Sequence, residues 1–139
     1  MGEIFLDADI GNGDPETPVT ASVFDGIRAV ISAVHDHQPK AVVILESLLP
    51  TNDAVKNRET VLPVNRRLLA LAASSPFAQY VVYLDLYPRF VDAQGAQLSG
   101  YFMDGLHPSE SGYRLWRDAL LPCIDGARRA RAKASREAR

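Results

Sequence analysis

One cysteine, Cys123, and one tryptophan, Trp116, stand among 139 residues. A lone thiol excludes a disulfide scaffold and a cysteine-rich zinc site, because both need several cysteines. No uninterrupted apolar run approaches the ~20 residues that a membrane-spanning helix requires. The chain has no internal repeat, and its N-terminus has no secretory-signal pattern. Net charge is also small: 15 Lys and Arg oppose 17 Asp and Glu, leaving −2. That total hides an asymmetry. Residues 126–139 hold six basic groups (Arg128, Arg129, Arg131, Lys133, Arg136 and Arg139) against Glu137 alone. Residues 1–125 are left with nine basic and sixteen acidic groups, a net of −7. An acidic body of this kind argues against nucleic acid as the partner. With 47% of its residues apolar, the chain can bury a core of ordinary size, so disorder along its whole length is excluded.

Short apolar runs alternate with helical patterns. Ile4–Ile10 reads as a strand that ends in the turn-rich Gly11-Asn12-Gly13-Asp14-Pro15. Val23, Ile27, Val30, Ile31 and Val34 then recur at helical spacing, predicting an amphipathic helix over residues 19–37. Residues 41–45, Ala-Val-Val-Ile-Leu, are β-branched and unpunctuated, as a strand buried in a parallel sheet would be. A second helix is expected from about Glu59 to Ser74, with Leu62, Leu69, Ala72 and Ala73 as its apolar surface and Pro63 in its first turn. Residues 80–84 form another strand, and Asp92 to Gly95 a turn or small hairpin. A last helix runs from about Ser109 to Ile124, with Tyr113, Trp116, Leu120 and Leu121 as its stripe. Beyond Asp125 an Ala/Arg-rich tail reads as a frayed helix or disordered segment outside the 1–125 domain. The β-α-β-α-β-loop-α order implies a parallel α/β sheet with right-handed crossovers and a site at the carboxyl ends of its strands.

The segment richest in chemistry is Asp104-Gly105-Leu106-His107-Pro108-Ser109-Glu110-Ser111-Gly112-Tyr113. A histidine base needs a carboxylate to fix its tautomer and to stabilise the imidazolium formed during proton transfer. An Asp three residues earlier in a loop can reach Nδ1, which leaves Nε2 to serve a nucleophile. A bare Asp-x-x-His is more often a loop in which the Asp, here Asp104, caps a turn and the His, here His107, merely packs. Ser109 and Ser111 are candidates to cap the helix that follows.

This stretch resembles the last block of the SGNH/GDSL hydrolases, α/β esterases and acylhydrolases with a flavodoxin-like sheet. More narrowly, the chain is similar to the bacterial branch related to platelet-activating-factor acetylhydrolase subunits. The segments that carry the resemblance are residues 39–45, Leu48-Leu49-Pro50, Arg58, Val64-Asn65, residues 82–86, and Asp104-Gly105-Leu106-His107-Pro108 with Gly112-Tyr113. It covers about residues 18–125 in the right order. The resemblance implies a three-layer sheet and a Ser-His-Asp triad in which Asp104 is the carboxylate and His107 the general base. No metal or organic cofactor is implied, and the partner is a small-molecule acyl ester, such as an acetylated sugar or lipid. The family's nucleophile sits in a Gly-Asp-Ser block near its N-terminus, and no such triplet occurs here. Its oxyanion-hole Gly is likewise missing upstream. For the family's Gly-x-Asn-Asp block two alignments compete, Gly11-Asn12-Gly13-Asp14 and Leu6-Asp7-Ala8-Asp9, which makes Gly11 and Asn12 the oxyanion-hole candidates. A Gly/Asn turn at a strand end accounts for the same residues. The expectation is therefore a sheet missing its first β-α unit, an N-terminally incomplete domain with no serine-dependent activity by itself. An exposed strand edge on such a sheet would invite self-association.

Two other readings compete. The domain could be degenerate and act only as a binding module. Alternatively, Asp7 and Asp9 resemble the Asp-x-Asp of haloacid-dehalogenase-type phosphatases, where paired carboxylates can hold Mg²⁺ and attack a phosphoryl group. That family's Gly-Thr-like continuation is absent, since Ile10-Gly11-Asn12 follows. His35 and His37 lie two apart on a helix and so ~200° apart, which suits the helix C-terminus better than one shared metal. Cys123, between Pro122 and Ile124, is expected to be a buried small hydrophobe.

Overall fold

The computed structural model describes residues 18–139. Strand β1 (Val43–Glu46) pairs in parallel with β2 (Val81–Leu84), in the register Val43↔Val81 through Glu46↔Leu84. Between them run α2 (Ala54–Lys56), a π-helical turn Asn57–Val61, and α3 (Leu62–Ala73). Helix α1 (Val19–His37) precedes β1, and α4 (Glu110–Glu137) follows the long loop after β2.

Alternation along the strands builds three layers. Val43, Leu45, Val81 and Tyr83 pack with Ile31 of α1 and Val64, Leu68, Leu71 and Ala72 of α3. Leu84 turns to the opposite face, where Leu86, Phe90 and Phe102 meet Ala119, Leu115 and Trp116 of α4. A strand with period two and helices on both faces requires this separation. Burying a side chain such as Leu68 or Phe90, both 0% exposed, stabilises the fold by about 1.5–3 kcal/mol. The result is the α/β three-layer, flavodoxin-like architecture. Its sheet is two-stranded among the described residues.

Several elements depart from the pattern. The helical run after β1 begins at Ala54 rather than Glu59, because the Asp53 carboxylate accepts from Val55 N (2.9 Å) and Lys56 N (3.1 Å) and so starts a helix early. On α3, Leu69 is 54% exposed and Ala73 is also exposed; the buried stripe is Val64, Asn65, Leu68, Leu71 and Ala72. Val30 and Val34 of α1 are exposed rather than inward. Tyr113 and Leu121 likewise leave the expected α4 stripe, because α4 meets the sheet through Leu115, Trp116 and Ala119. Cys123 is half-buried. Helix α4 does not fray at Ile124 but continues to Glu137. Ala, Arg and Lys are good helix formers, and they propagate a helix already nucleated upstream without needing an apolar face.

Candidate active site

The carboxyl ends of β1 and β2 open into the loops Ser47–Asp53 and Asp85–Pro108, and the candidate residues lie on the second. Asp104 uses both oxygens. Oδ1 accepts from Leu106 N (3.0 Å) and His107 N (2.7 Å), closing a tight turn. Oδ2 lies 2.6 Å from His107 Nδ1. The turn-capping role and the histidine-orienting role are therefore performed together. Both side chains are 48% exposed, so water and a small molecule can reach them. The hydrogen bonds from His107 N, the His107 ring and Leu106 N hold the Asp104 carboxyl down at about 2, below its usual 3.8. An anion at Nδ1 keeps the proton on that nitrogen and assigns proton acceptance to Nε2.

Local geometry fixes the turn. Gly105 has φ of +80°, which favours glycine, and the Asn52 side chain lies against its α-carbon. Phe102 and Pro108 form an antiparallel bridge, and Met103 N donates to His107 O at 2.8 Å. Ser109 then caps α4, its Oγ accepting from Gly112 N (3.2 Å) and donating to Gly100 O (3.0 Å). Capping is thus the role of Ser109; Ser111 lies within the helix.

The loop after β1 is pinned by side-chain amides that no local pattern marks. Asn65 exchanges two hydrogen bonds with the backbone of Leu48, at 2.7 and 3.0 Å. Asn57 does the same with Thr51, at 2.8 Å each way. Ser47 is buried, and its Oγ accepts from Leu86 N (2.8 Å) and Tyr87 N (2.9 Å), so it ties the two loops together. Glu46, at the end of β1, accepts from Trp116 Nε1 at 2.8 Å. Burial, then the nearby Asp85 charge, pushes the Tyr83 phenol up to about 12, against a smaller opposing effect of the Ser47 hydroxyl. His35 stacks on Tyr80 at the end of α1 with ring centroids 3.8 Å apart, and His37 shares the same last turn. Among the described residues, no group of three His, Cys, Asp or Glu could hold a metal ion. Gly11 and Asn12, and the pair Asp7 and Asp9, lie outside the described residues.

A family model described as GDSL-like lipase/acylhydrolase matches residues 8–115. The chain belongs to this family. Platelet-activating factor acetylhydrolase IB subunit alpha1 of Homo sapiens is 35% identical over 92 residues, which cover 66% of this chain and 38% of that protein. The Bos taurus protein of the same name matches over the same shares. The chain thus spans less than half the length of these curated relatives. Among solved structures, a GDSL-like lipase from Bacteroides thetaiotaomicron shares the fold at a TM-score of 0.65 and 19% identity, over 88% of this chain and 58% of that one. A Bacteroides fragilis structure described as an acylhydrolase has a TM-score of 0.64 at 20% identity, over 79% and 53%.

Proposed function

We propose that this chain carries the proton-transfer half of an acyl-ester hydrolase site, with His107 as general base and Asp104 as the carboxylate that orients it. The observation that carries the reading is the 2.6 Å approach of Asp104 Oδ2 to His107 Nδ1, in an accessible loop at the carboxyl end of the sheet, in a chain of the GDSL-like family. In the complete reaction His107 Nε2 takes the proton of a serine hydroxyl as it attacks the ester carbonyl. His107 then returns that proton to the leaving alcohol, and water releases the acyl group by the same route. Relatives named as platelet-activating factor acetylhydrolase subunits direct the substrate to short acyl esters, an acetyl ester first.

The 139 residues contain no Gly-Asp-Ser triplet. Without that nucleophile the chain by itself is expected to hydrolyse an aryl acetate only at the slow rate of an accessible imidazole. The test is hydrolysis of a short-chain aryl ester by the purified 139-residue protein. His107→Ala should lower the slow reaction to the level of the remaining exposed imidazole, His37, and Asp104→Asn, which removes the charge that fixes the tautomer, should lower it towards the same level. A rate unchanged in His107→Ala would remove the basis for the assignment. Fast turnover that survives replacement of every serine would sink a serine mechanism. The missing triplet also favours a second reading, a binding module. Saturable ligand binding without turnover, indifferent to Asp104→Ala and His107→Ala, would support that reading instead.

A further inference from the structure

Within the turn Asp104 to His107 the Asp104 carboxylate makes the internal hydrogen bonds, while the backbone carbonyls reach outward, His107 O to Met103 N at 2.8 Å and Gly105 O to two donors. The Gly105 carbonyl is where it is held. It accepts from Asn52 N at 2.9 Å and from Gln97 Nε2, also at 2.9 Å. The same Gln97 nitrogen donates to Pro50 O at 2.9 Å. An amide nitrogen has two hydrogens, and this one uses both, joining the loop after β1 to the turn that bears the Asp–His pair. Pro50 is among the most deeply buried residues, so one end of this link is fixed in the interior.

Gln97 is itself positioned by a hairpin with no other evident task. Val91 and Gln97 form an antiparallel bridge, and Leu98 N donates to Phe90 O at 2.8 Å. Asp92 Oδ1 accepts from Gln94 N and Ala96 N, at 2.9 Å each, while Gly95 takes φ of +82° at the tip. Phe90, the hairpin's root, is 0% exposed. A rigid hairpin rooted in the core therefore delivers one amide to the back of the candidate site.

We propose that Gln97 is a positioning residue for the Asp104–His107 pair, acting through the Gly105 carbonyl. This rests on the function proposed above. Losing the link leaves Gly105 O with the Asn52 N donor alone, so the turn is held at one point instead of two, and the peptide groups that bring Leu106 N and His107 N onto Asp104 Oδ1 are less well fixed. The carboxylate then loses the donors that stabilise its charge. Gln97→Met keeps length and volume but has no donor.

The experiment follows the Asp104 carboxyl by NMR titration in the full chain, together with the exchange of the His107 Nδ1 proton and the thermal melt. Wild type should titrate at about 2. In Gln97→Met the midpoint should rise by about one pH unit and the ring proton should exchange faster, with the cooperative melt retained. Gln97→Leu should give the same shift, and serves if the Met variant fails to fold. Gln94→Met, the same chemical change on an exposed residue of the same hairpin, should leave Asp104 unmoved. A folded Gln97 variant with an unshifted midpoint, or an equal shift in Gln94→Met, overturns the proposal. If in the wild type the His107 Nδ1 proton exchanges as fast as that of a free imidazole, the pairing with Asp104 fails instead, and with it the proposed function.

Discussion

Gly112 leaves no room for a β-carbon: one built there would meet the Tyr101 carbonyl oxygen at 2.1 Å. That oxygen cannot easily retreat, because it accepts from Ser109 N at 2.8 Å in the cap that starts α4. Gly112→Ala is therefore expected to destabilise the protein by about 1–3 kcal/mol, read from the midpoint of urea unfolding. Asp104 makes a second prediction at this scale. Its carboxyl is lower in the folded chain, at about 2, than its usual 3.8. The turn it supports is thus favoured above pH 3.8 and loses that support as pH falls towards 2. Amide signals of Leu106 and His107 should shift in that window, and in Asp104→Asn the shift should be absent. The Asp104–His107 pair was legible in the sequence because both partners lie within four residues and a tight turn suffices to join them. Gln97, Asn57 and Asn65 were not, since each amide bonds backbone that only the folded chain brings near.

Helix α3 shows how far a periodic pattern reaches. Leu68 and Leu69 are chemically identical neighbours, yet one is 0% exposed and the other 54%. Leu68→Ala should cost about 2–5 kcal/mol and Leu69→Ala within about 0.5 kcal/mol in the same unfolding assay. Helical spacing marked the existence of the element and its approximate span, but the buried face was set by where α1 and the sheet lie. The start at Ala54 and the π-turn depend on Asp53 and on Asn57, which is buried because its amide is committed to Thr51. In α4, Ile124, Ala127, Arg128 and Arg131 line a small cleft against Val42 and Ile44 of β1 and its approach, whereas the residues beyond are exposed. Ending the chain after Ala132 should shift stability by no more than about 0.5 kcal/mol, and ending it at Asp125 should cost more, because Val42 and Ile44 lose their cover.

At the scale of the molecule the unusual feature is the outer edge of β1, which carries no partner strand among the described residues. Beside it lies an apolar groove of about 480 Å³ between α1 and β1, lined by residues including Val23, Ile27, Val30 and Val43, with Val30 63% exposed. Pairing of that edge with a second copy, the association expected from the sequence, would be seen as a sedimentation coefficient that rises with concentration and falls back in Val30→Glu. A monodisperse monomer across the accessible range would count against it. Sequence by itself determined the α/β class, the order of the elements from residue 18 onward and the Asp104–His107 pair, because hydrophobic period and a four-residue turn are local properties; the strand expected at Ile4–Ile10 lies outside the described residues. Tertiary structure alone decided which face each helix buries, that Ser47 ties loops together inside the fold, and that Gln97 braces the candidate site. Those outcomes depend on contacts between segments 40 or more residues apart, such as Ser47 with Tyr87 and Pro50 with Gln97, and such contacts exist only once the layers have packed.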